Sequence, residues 1–445
     1  MNKNSNFFLF LLVIDVFFTI ILCCASYYFH ENYTLRCITL FLFIALLLII
    51  LKINFLFFYL SLLLIYGYSG QILSLFFIEQ GGSYLNELQN QSHSNGAMSL
   101  LILIVTFAIM INYIFFTLVF RNLTKVRLWF ANGNNTVRLI NVLFIFAYIS
   151  IIFLYGNAYG SAGGNRVIYR HDYLPSWAGI FIDLQWIPVL VLGLLYINNK
   201  KKEFFIFLIL HLFFRVLFGE KFTMLVQLLY ISFIPYVIFF HQEINVNRFI
   251  KIVLFFGVLL GTSIFLNYFF IENAGFERIE QRIAQQGQLW WYVVNNYLEK
   301  GGSISVINEF FSYNKGDCQQ GMDLLMCKSM SPSLYQLYIE KQYVLTSGYP
   351  SILLLYFGPY GIILFLFASP LFLLPLVMLY VSLKNKKILA SIISFRVFFS
   401  FFSFYAIGNM HDLLNLKTLI YFLLWLGVYS IPKIVFVNRK ACNYD

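Results

Sequence analysis

Basic side chains recur at three places in this chain where their type and spacing suit the binding of phosphate groups. One pair stands a helical turn apart in the longest polar stretch, one flanks a tight turn at Gly219, and one follows a glycine-rich segment. A guanidinium group stays ionised and bonds two phosphate oxygens at once. The candidates are Arg278 and Arg282, Arg215 and Lys221, and Arg166 and Arg170. The alternative is ordinary pairing, such as Arg278 with Glu277 or Glu280, and contact with lipid phosphates alone.

The elements that carry these residues are predicted to be membrane helices. Hydrophobic residues make up 60% of the chain and charged residues only 11%, with a mean hydropathy of +0.78, whereas a soluble domain is about a quarter charged. Runs of about twenty apolar residues match the hydrocarbon core of a bilayer. We predict an all-α integral membrane protein of about twelve spans, at 7–29, 36–51, 53–78, 98–120, 139–155, 177–198, 204–218, 222–240, 251–270, 352–383, 388–408 and 418–436.

The distribution of charge predicts the orientation of these spans. With the N-terminus inside, the inner connections hold 17 lysine and arginine residues against three carboxylates, whereas the outer side is nearly balanced. The positive-inside rule then places both termini in the cytoplasm. Because the excess charge lies in short clusters beside the spans, it does not indicate nucleic-acid binding. The first span is too long for a cleaved signal peptide.

One large outer loop interrupts the spans. The chain divides into spans one to nine (1–270), a large periplasmic loop (271–345), and spans ten to twelve with the C-terminus (346–445). The apolar spacing of 277–299 predicts a helix lying along the outer leaflet, apolar edge down. Cys318 and Cys327 in this loop are disulfide candidates, since a periplasm is oxidising, although two free thiols are the alternative. No grouping of cysteine and histidine indicates a metal site, and we expect no cofactor.

Two short motifs contribute to a resemblance to a known family. One is Leu217-Phe218-Gly219-Glu220-Lys221-Phe222, and the other runs from Arg278 to Trp291. They resemble the hairpin motif, with lysine where arginine is common, and the periplasmic arginine helix of the bacterial O-antigen polymerases of the Wzy type. Ser347 to Ser351, followed by Phe357 to Gly361, resembles that family's entry into the tenth span. The likeness in topology covers nearly the whole chain.

The resemblance implies a fold of the polyprenol-dependent glycosyltransferase (GT-C) type. It also implies an enzyme of the bacterial inner membrane that transfers a growing glycan from undecaprenyl pyrophosphate to the next lipid-linked repeat unit on the periplasmic face. The expected partners are the lipid-linked oligosaccharide, the bilayer, and the chain-length regulator and flippase of the same pathway. Two alternatives are a lipid-linked oligosaccharide flippase or other transporter, and an O-antigen ligase.

That reaction calls for a proton acceptor and for surfaces that bind sugars. Acceptor candidates are Asp172 with His171, Glu272, Glu280, and His411 with Asp412, although positioning of the acceptor hydroxyl is another route. Glu272 and Glu280, like Arg166 and Arg170, are also candidates to bind substrate, and Trp290 and Trp291 are candidates to stack on sugars. Ionisable residues within spans are expected to face the bundle interior, by pairing or by lining a cavity. These are Asp15, Asp183, His211 and Arg396.

Overall fold

The structure is a computed structural model of the chain. It describes residues 3–82, 84–120, 134–164, 166–220, 222–251, 283–299, 320–341, 347–385, 387–408 and 415–430, with a few gaps after 251 and some isolated positions between these ranges. Eight residues of the sequence analysis lie outside the described part, as does most of the ninth predicted span, 251–270. They are Lys221, Glu272, Glu277, Arg278, Glu280, Arg282, His411 and Asp412.

The described residues are almost all helical. The exceptions include a small antiparallel pair, β1 (Tyr84–Leu85) and β2 (Asn90–Gln91), in which Tyr84 faces Gln91. The helices of the first half are α1 Lys3–Tyr28, α2 Tyr33–Ile53, α3 Phe55–Leu60, α4 Leu62–Ile78, α5 Ala97–Phe120, α6 Asn134–Tyr155, α7 Ala158–Ala162, α8 Arg166–Ile168, α9 Ser176–Asp183, α10 Trp186–Ile197, α11 Lys201–Leu217 and α12 Phe222–Phe240. Those of the second half are α13 Gln288–Tyr297, α14 Gly321–Ser329, α15 Pro332–Glu340, α16 Tyr349–Phe357, α17 Tyr360–Ala368, α18 Leu373–Lys384, α19 Ile388–Phe402 and α20 Leu416–Ser430.

Within the described ranges, seven helical segments are long and apolar enough to cross a membrane. They are Phe7–Tyr28, Tyr33–Ile53, Ala97–Phe120, Asn134–Ala162, Ser176–Ile197, Tyr360–Lys384 and Ile388–Ala406. Three further apolar helices are shorter: Leu62–Ile78, Met224–Phe240 and Leu416–Ser430. The protein is therefore an all-α, multi-pass membrane protein, and each of these ten segments overlaps a predicted span.

Local breaks interrupt some of the predicted spans. The third, 53–78, is divided at Ser61 into α3 and α4. The tenth was predicted to begin at about 352, but the segment long enough to span begins at Tyr360. The preceding α16 is a separate helix that ends at Gly358, whose φ is +57°. A Cβ on Gly361 would lie 2.4 Å from the Leu353 carbonyl, so glycine allows α16 and α17 to pack closely.

The described part of the large loop is packed into the helical bundle. Trp290 and Trp291 of α13 are 0% and 1% exposed. The indole N–H of Trp290 donates to the carbonyl of Ala97 and that of Trp291 to the carbonyl of His93, each at 2.8 Å. The prediction that this helix lies on the lipid surface is therefore wrong for α13, because its apolar face packs against protein.

A buried ion pair joins the start of α2 to the end of α4, next to the start of α5. Arg36 and Glu79 lie 3.9 Å apart, and Arg36 also donates to the backbone carbonyl of Glu79. The Glu79 carboxylate accepts the N–H of Met98 at 3.0 Å, in the first turn of α5. A carboxylate at a helix N-terminus is stabilised by the unpaired N–H groups there. Burial is the largest influence on Glu79 and raises its pKa from 4.5 to about 7.

Of the ionisable residues within predicted spans, Asp15 and His211 are buried, as expected. Arg396 is instead exposed on the surface of α19, where its guanidinium group lies 5.8 Å from the ring centre of Tyr421.

Candidate anion-binding site

The turn between α11 and α12 docks onto the connection that follows α6. Gly219 in this turn has a φ of +76°, which favours glycine. A Cβ at Gly219 would lie 2.9 Å from the Cβ of Ala158 and 3.2 Å from the backbone nitrogen of Arg166. This close contact brings together two segments that are more than fifty residues apart in sequence.

Three arginines converge on the side chain of Glu220 at this contact. Arg166 Nη1 lies 2.7 Å from Glu220 Oε2, and Arg170 Nη2 lies 2.7 Å from Oε1. Arg215 Nη1 contacts the same Oε1 at 3.2 Å. Arg170 also donates through Nη1 to Asp183 at 2.8 Å. Three positive and two negative charges leave the cluster with a formal charge of +1.

Exposure increases from the centre of this cluster to its edge. The side chains of Glu220 and Arg215 are 0% and 5% exposed, those of Arg170 and Arg166 are 27% and 47% exposed, and that of Asp183 is 63% exposed. A guanidinium group carries five N–H donors, and Arg166 gives only one hydrogen bond to a described residue. The buried carboxylate thus holds arginines whose outer edges remain open to an anionic ligand.

The helices below the cluster hold Arg215 in place. His211, one turn before Arg215 on α11, is buried, and its Nε2 lies 2.9 Å from the Asn141 side-chain oxygen of α6. Asn141 has its own N–H bonded to a carbonyl, so Nε2 of His211 carries the proton. Gln185 donates to the backbone carbonyl of His211 at 2.8 Å. This network joins α11 to the α6 helix and to the start of α10.

Tyr169 fixes the segment that carries Arg166 and Arg170, the two arginines at the rim of the cluster. Its ring is fully buried, and its hydroxyl donates to the carbonyl of Gly156 at 2.6 Å. Burial raises the pKa of Tyr169 to about 12, so the hydroxyl keeps its proton at physiological pH and remains a donor. Arg166 and Arg170 stand on either side of this anchored residue.

The cluster and a second ion pair lie at opposite ends of α11. Glu203 near the start of this helix binds Arg138 of α6 through two contacts of 2.7 Å. Glu203 and Arg215 are twelve residues apart, or about 18 Å along a helix. Arg138 is therefore paired with a glutamate, as the clustered arginines are, but at the other end of the same helices.

The predicted site residues are brought together in part. Arg166, Arg170 and Arg215 meet, as described above. Asp172 and His171 are both exposed, with Asp172 Oδ1 3.7 Å from His171 Nδ1. They stand on the π-helical turn Tyr169–Tyr173, which also carries Arg170. No contact between Asp172 and the three arginines is seen among the described residues.

Trp290 and Trp291 do not fit the binding of sugars. Both rings are enclosed, and both N–H groups are bonded to backbone carbonyls. A ring that stacks on a sugar needs an open face, so the expectation for these two residues is corrected. They are core residues that attach α13 to the start of α5.

A disulfide joins Cys318 and Cys327, the candidate pair, with their Cα atoms 5.6 Å apart. The carboxylate of Asp323 lies inside this loop, where it accepts the N–H of Cys318 at 3.1 Å and the hydroxyl of Tyr335 at 2.8 Å. The bridge therefore encloses most of α14, and Asp323 connects this helix to α15.

Sequence reasoning missed the central residue of the cluster. Glu220 was considered only as part of a turn motif, although a carboxylate beside Gly219 and five residues from Arg215 is a local signal. Asp183 lies within the apolar segment Ser176–Ile197, as expected. Its side chain was expected to face the bundle interior, but it is 63% exposed and pairs with Arg170 at the rim. No spacing rule connects Asp183 or Arg166 with Glu220.

Comparison with known proteins adds one match. Residues 315–422 match the model of a family of unknown function, DUF6418. Neither the comparison with curated proteins nor that with solved structures returned a match. The matched segment is about a quarter of the chain, and it contains the disulfide and the stretch from Ser347 to Gly361 but none of the three clustered arginines.

Proposed function

We propose that this protein is an O-antigen or oligosaccharide repeat-unit polymerase. It would transfer a growing glycan from undecaprenyl pyrophosphate to the next lipid-linked repeat unit on the periplasmic face of the bacterial inner membrane. The observation that supports this proposal is the group of three arginines held around buried Glu220 at one end of membrane helices, with two guanidinium groups open at the rim.

The rim arginines suit the leaving group of this reaction. In the transfer, the bond between the donor sugar and pyrophosphate breaks, and the pyrophosphate leaves with an additional negative charge. Arg166 and Arg170 would bind its oxygens and stabilise that charge, which is the interaction that lowers the barrier. Glu220 orients the guanidinium groups beforehand, so little reorganisation is needed when the ligand binds.

The acceptor hydroxyl must lose its proton as the new glycosidic bond forms. Asp172 is an exposed carboxylate on the same turn as Arg170, with His171 beside it. It is the described carboxylate that we assign to accept this proton. The released polyprenyl pyrophosphate remains in the outer leaflet, and the chain-length regulator and the flippase of the same pathway would act beside this enzyme.

Complementation of a deletion strain tests the proposal. Loss of a polymerase leaves lipopolysaccharide that carries one repeat unit, whereas loss of a flippase or a ligase leaves none. Arg166→Ala and Arg170→Ala should insert normally and restore only the one-unit product, and Arg166→Lys should restore part of the ladder of chain lengths. The same result is expected for Lys221→Ala and Arg282→Ala.

Arg138→Ala is the matched control, because it removes an arginine bonded to a glutamate at the opposite end of the same helices. It should restore a normal ladder. A normal ladder in the Arg166→Ala and Arg170→Ala variants, or a deletion strain that has no repeat unit at all, would contradict the proposal. Titration of the purified protein with pyrophosphate provides a direct binding measurement, in which Arg166→Ala should bind more weakly than Arg138→Ala.

A further inference from the structure

A line of polar residues runs along the contact between α1 and α5, away from the arginine cluster. Ser26 Oγ near the end of α1 lies 2.8 Å from Ser99 Oγ near the start of α5. A Cβ at Gly96 would lie 3.2 Å from the carbonyl of Tyr27. The end of one helix therefore meets the start of the other, and the two helices run in opposite directions.

The serine pair sets the register of the residues deeper in the membrane. Thr19 is seven residues before Ser26, and Thr106 is seven residues after Ser99. Seven residues make nearly two turns and rise about 10 Å, so both threonines stand on the contact face at the same depth. Asp15 follows one turn deeper on the same face of α1.

These three side chains are buried, and each has a polar oxygen without a hydrogen-bond partner among the described residues. Thr19 and Thr106 are 0% exposed and Asp15 is 8% exposed. In the described part of the chain, Thr19 Oγ1, Thr106 Oγ1 and Asp15 Oδ2 have no hydrogen-bond partner. An unsatisfied buried polar atom destabilises the folded state, and an ionised carboxylate within a membrane destabilises it further.

No described basic side chain forms an ion pair with Asp15. On α2, the ammonium group of Lys52 lies over the ring of Phe8, 5.5 Å from its centre. Phe8 is seven residues from Asp15, or about 10 Å along α1. The negative charge therefore has no neighbouring positive charge within the part of the chain that the structure describes.

We propose that Asp15, Thr19 and Thr106 form a binding site for Na⁺ between α1 and α5. Carboxylate and hydroxyl oxygens are hard ligands that suit small, non-transition cations. A single positive charge neutralises the single carboxylate, whereas a divalent ion would leave a net charge in the membrane. A proton would also neutralise Asp15. It would, however, leave the hydroxyl oxygens of Thr19 and Thr106 unsatisfied, whereas Na⁺ would bind them. The site is separate from the proposed glycosyl transfer and does not rest on it.

Thermal unfolding of the purified, detergent-solubilised protein tests this proposal. The melting temperature is measured at pH 8.5 and constant ionic strength while NaCl replaces choline chloride. A ligand that binds the folded state raises the melting temperature in a concentration-dependent way. The wild type should show a saturable rise with Na⁺, and Asp15→Asn should abolish it. In the double variant Thr19→Val/Thr106→Val, the Na⁺ concentration that gives half of the rise in melting temperature should be higher by about tenfold or more.

Thr117→Val is the matched control, since Thr117 is on α5 but its hydroxyl bonds the Ile114 carbonyl at an exposed position. It should respond to Na⁺ as the wild type does. Binding of ²²Na⁺ to the wild type and to the double threonine variant gives a second measurement that does not depend on the folding of Asp15→Asn. Equal melting curves in NaCl and choline chloride for the wild type, or a Na⁺ response retained by Asp15→Asn, would overturn the proposal.

Discussion

Replacement of Glu220 by glutamine tests whether this carboxylate holds the arginine cluster together. The substitution keeps the shape of the side chain and removes the charge that three arginines share. Arg215 then keeps a buried charge, because its side chain is only 5% exposed. Breaking a buried ion pair by removal of one partner costs about 3–5 kcal/mol. The contacts to Arg166 and Arg170 add less, since those side chains reach solvent.

The free energy of unfolding in mixed micelles is the quantity to measure. Glu220→Gln should lower it by about 3–5 kcal/mol. In an Arg215→Met background the same substitution should cost less than half as much, because the buried charge that it would leave unpaired is already absent. Glu203→Gln is the control, because it removes the charge from a similar arginine contact that is partly exposed. The loss of unfolding free energy in Glu203→Gln should be only a small fraction of the loss in Glu220→Gln.

Two results would refute this reasoning. Equal losses from Glu220→Gln and Glu203→Gln would show that burial does not strengthen the Glu220 contacts. Additive effects of Arg215→Met and Glu220→Gln would show that the two side chains do not interact in the folded protein. Either result would also remove the preorganised arginines on which the proposed pyrophosphate site depends.

The remaining predictions concern the disulfide and the buried ion pair of Glu79. Replacement of both Cys318 and Cys327 by serine should lower the free energy of unfolding under oxidising conditions by about 2–3 kcal/mol. A reducing agent should remove the difference between wild type and variant. A difference that persists in the reducing agent would contradict the bridge. Because the folded-state pKa of Glu79 is raised to about 7, the folded state binds more protons than the unfolded state between about pH 4.5 and 7. The melting temperature should therefore fall as the pH rises through this range, and Glu79→Gln should flatten that dependence; an unchanged pH profile in the variant would contradict it.

Much of the architecture could be predicted because hydropathy is a local property. A run of apolar residues as long as the bilayer is thick forms a helix wherever it stands in the chain. The ten apolar segments described here overlap predicted spans for that reason. The break at Ser61 was not predicted, since the run 53–78 has no charged residue and no proline, and the break depends on neighbouring helices.

The candidate site was likewise predictable from the sequence only in part. Residue type alone indicated Arg166, Arg170 and Arg215 as anion-binding candidates, because a guanidinium group has that chemistry in any fold. Their common partner Glu220 was revealed by the close contact at Gly219, which depends on how α6 and α11 pack. The same packing information reversed the role of Trp290, whose spacing fits equally a lipid surface and a protein interior.

By itself, therefore, the sequence determined that this chain crosses the membrane many times and that it carries cations suited to phosphate. Tertiary structure decided which of those cations meet, which aromatic rings are enclosed, and which polar side chains of α1 and α5 share a depth. The physical reason is that hydropathy and ionisation belong to single residues and short runs. Burial and pairing belong to residues that only the packed chain brings together.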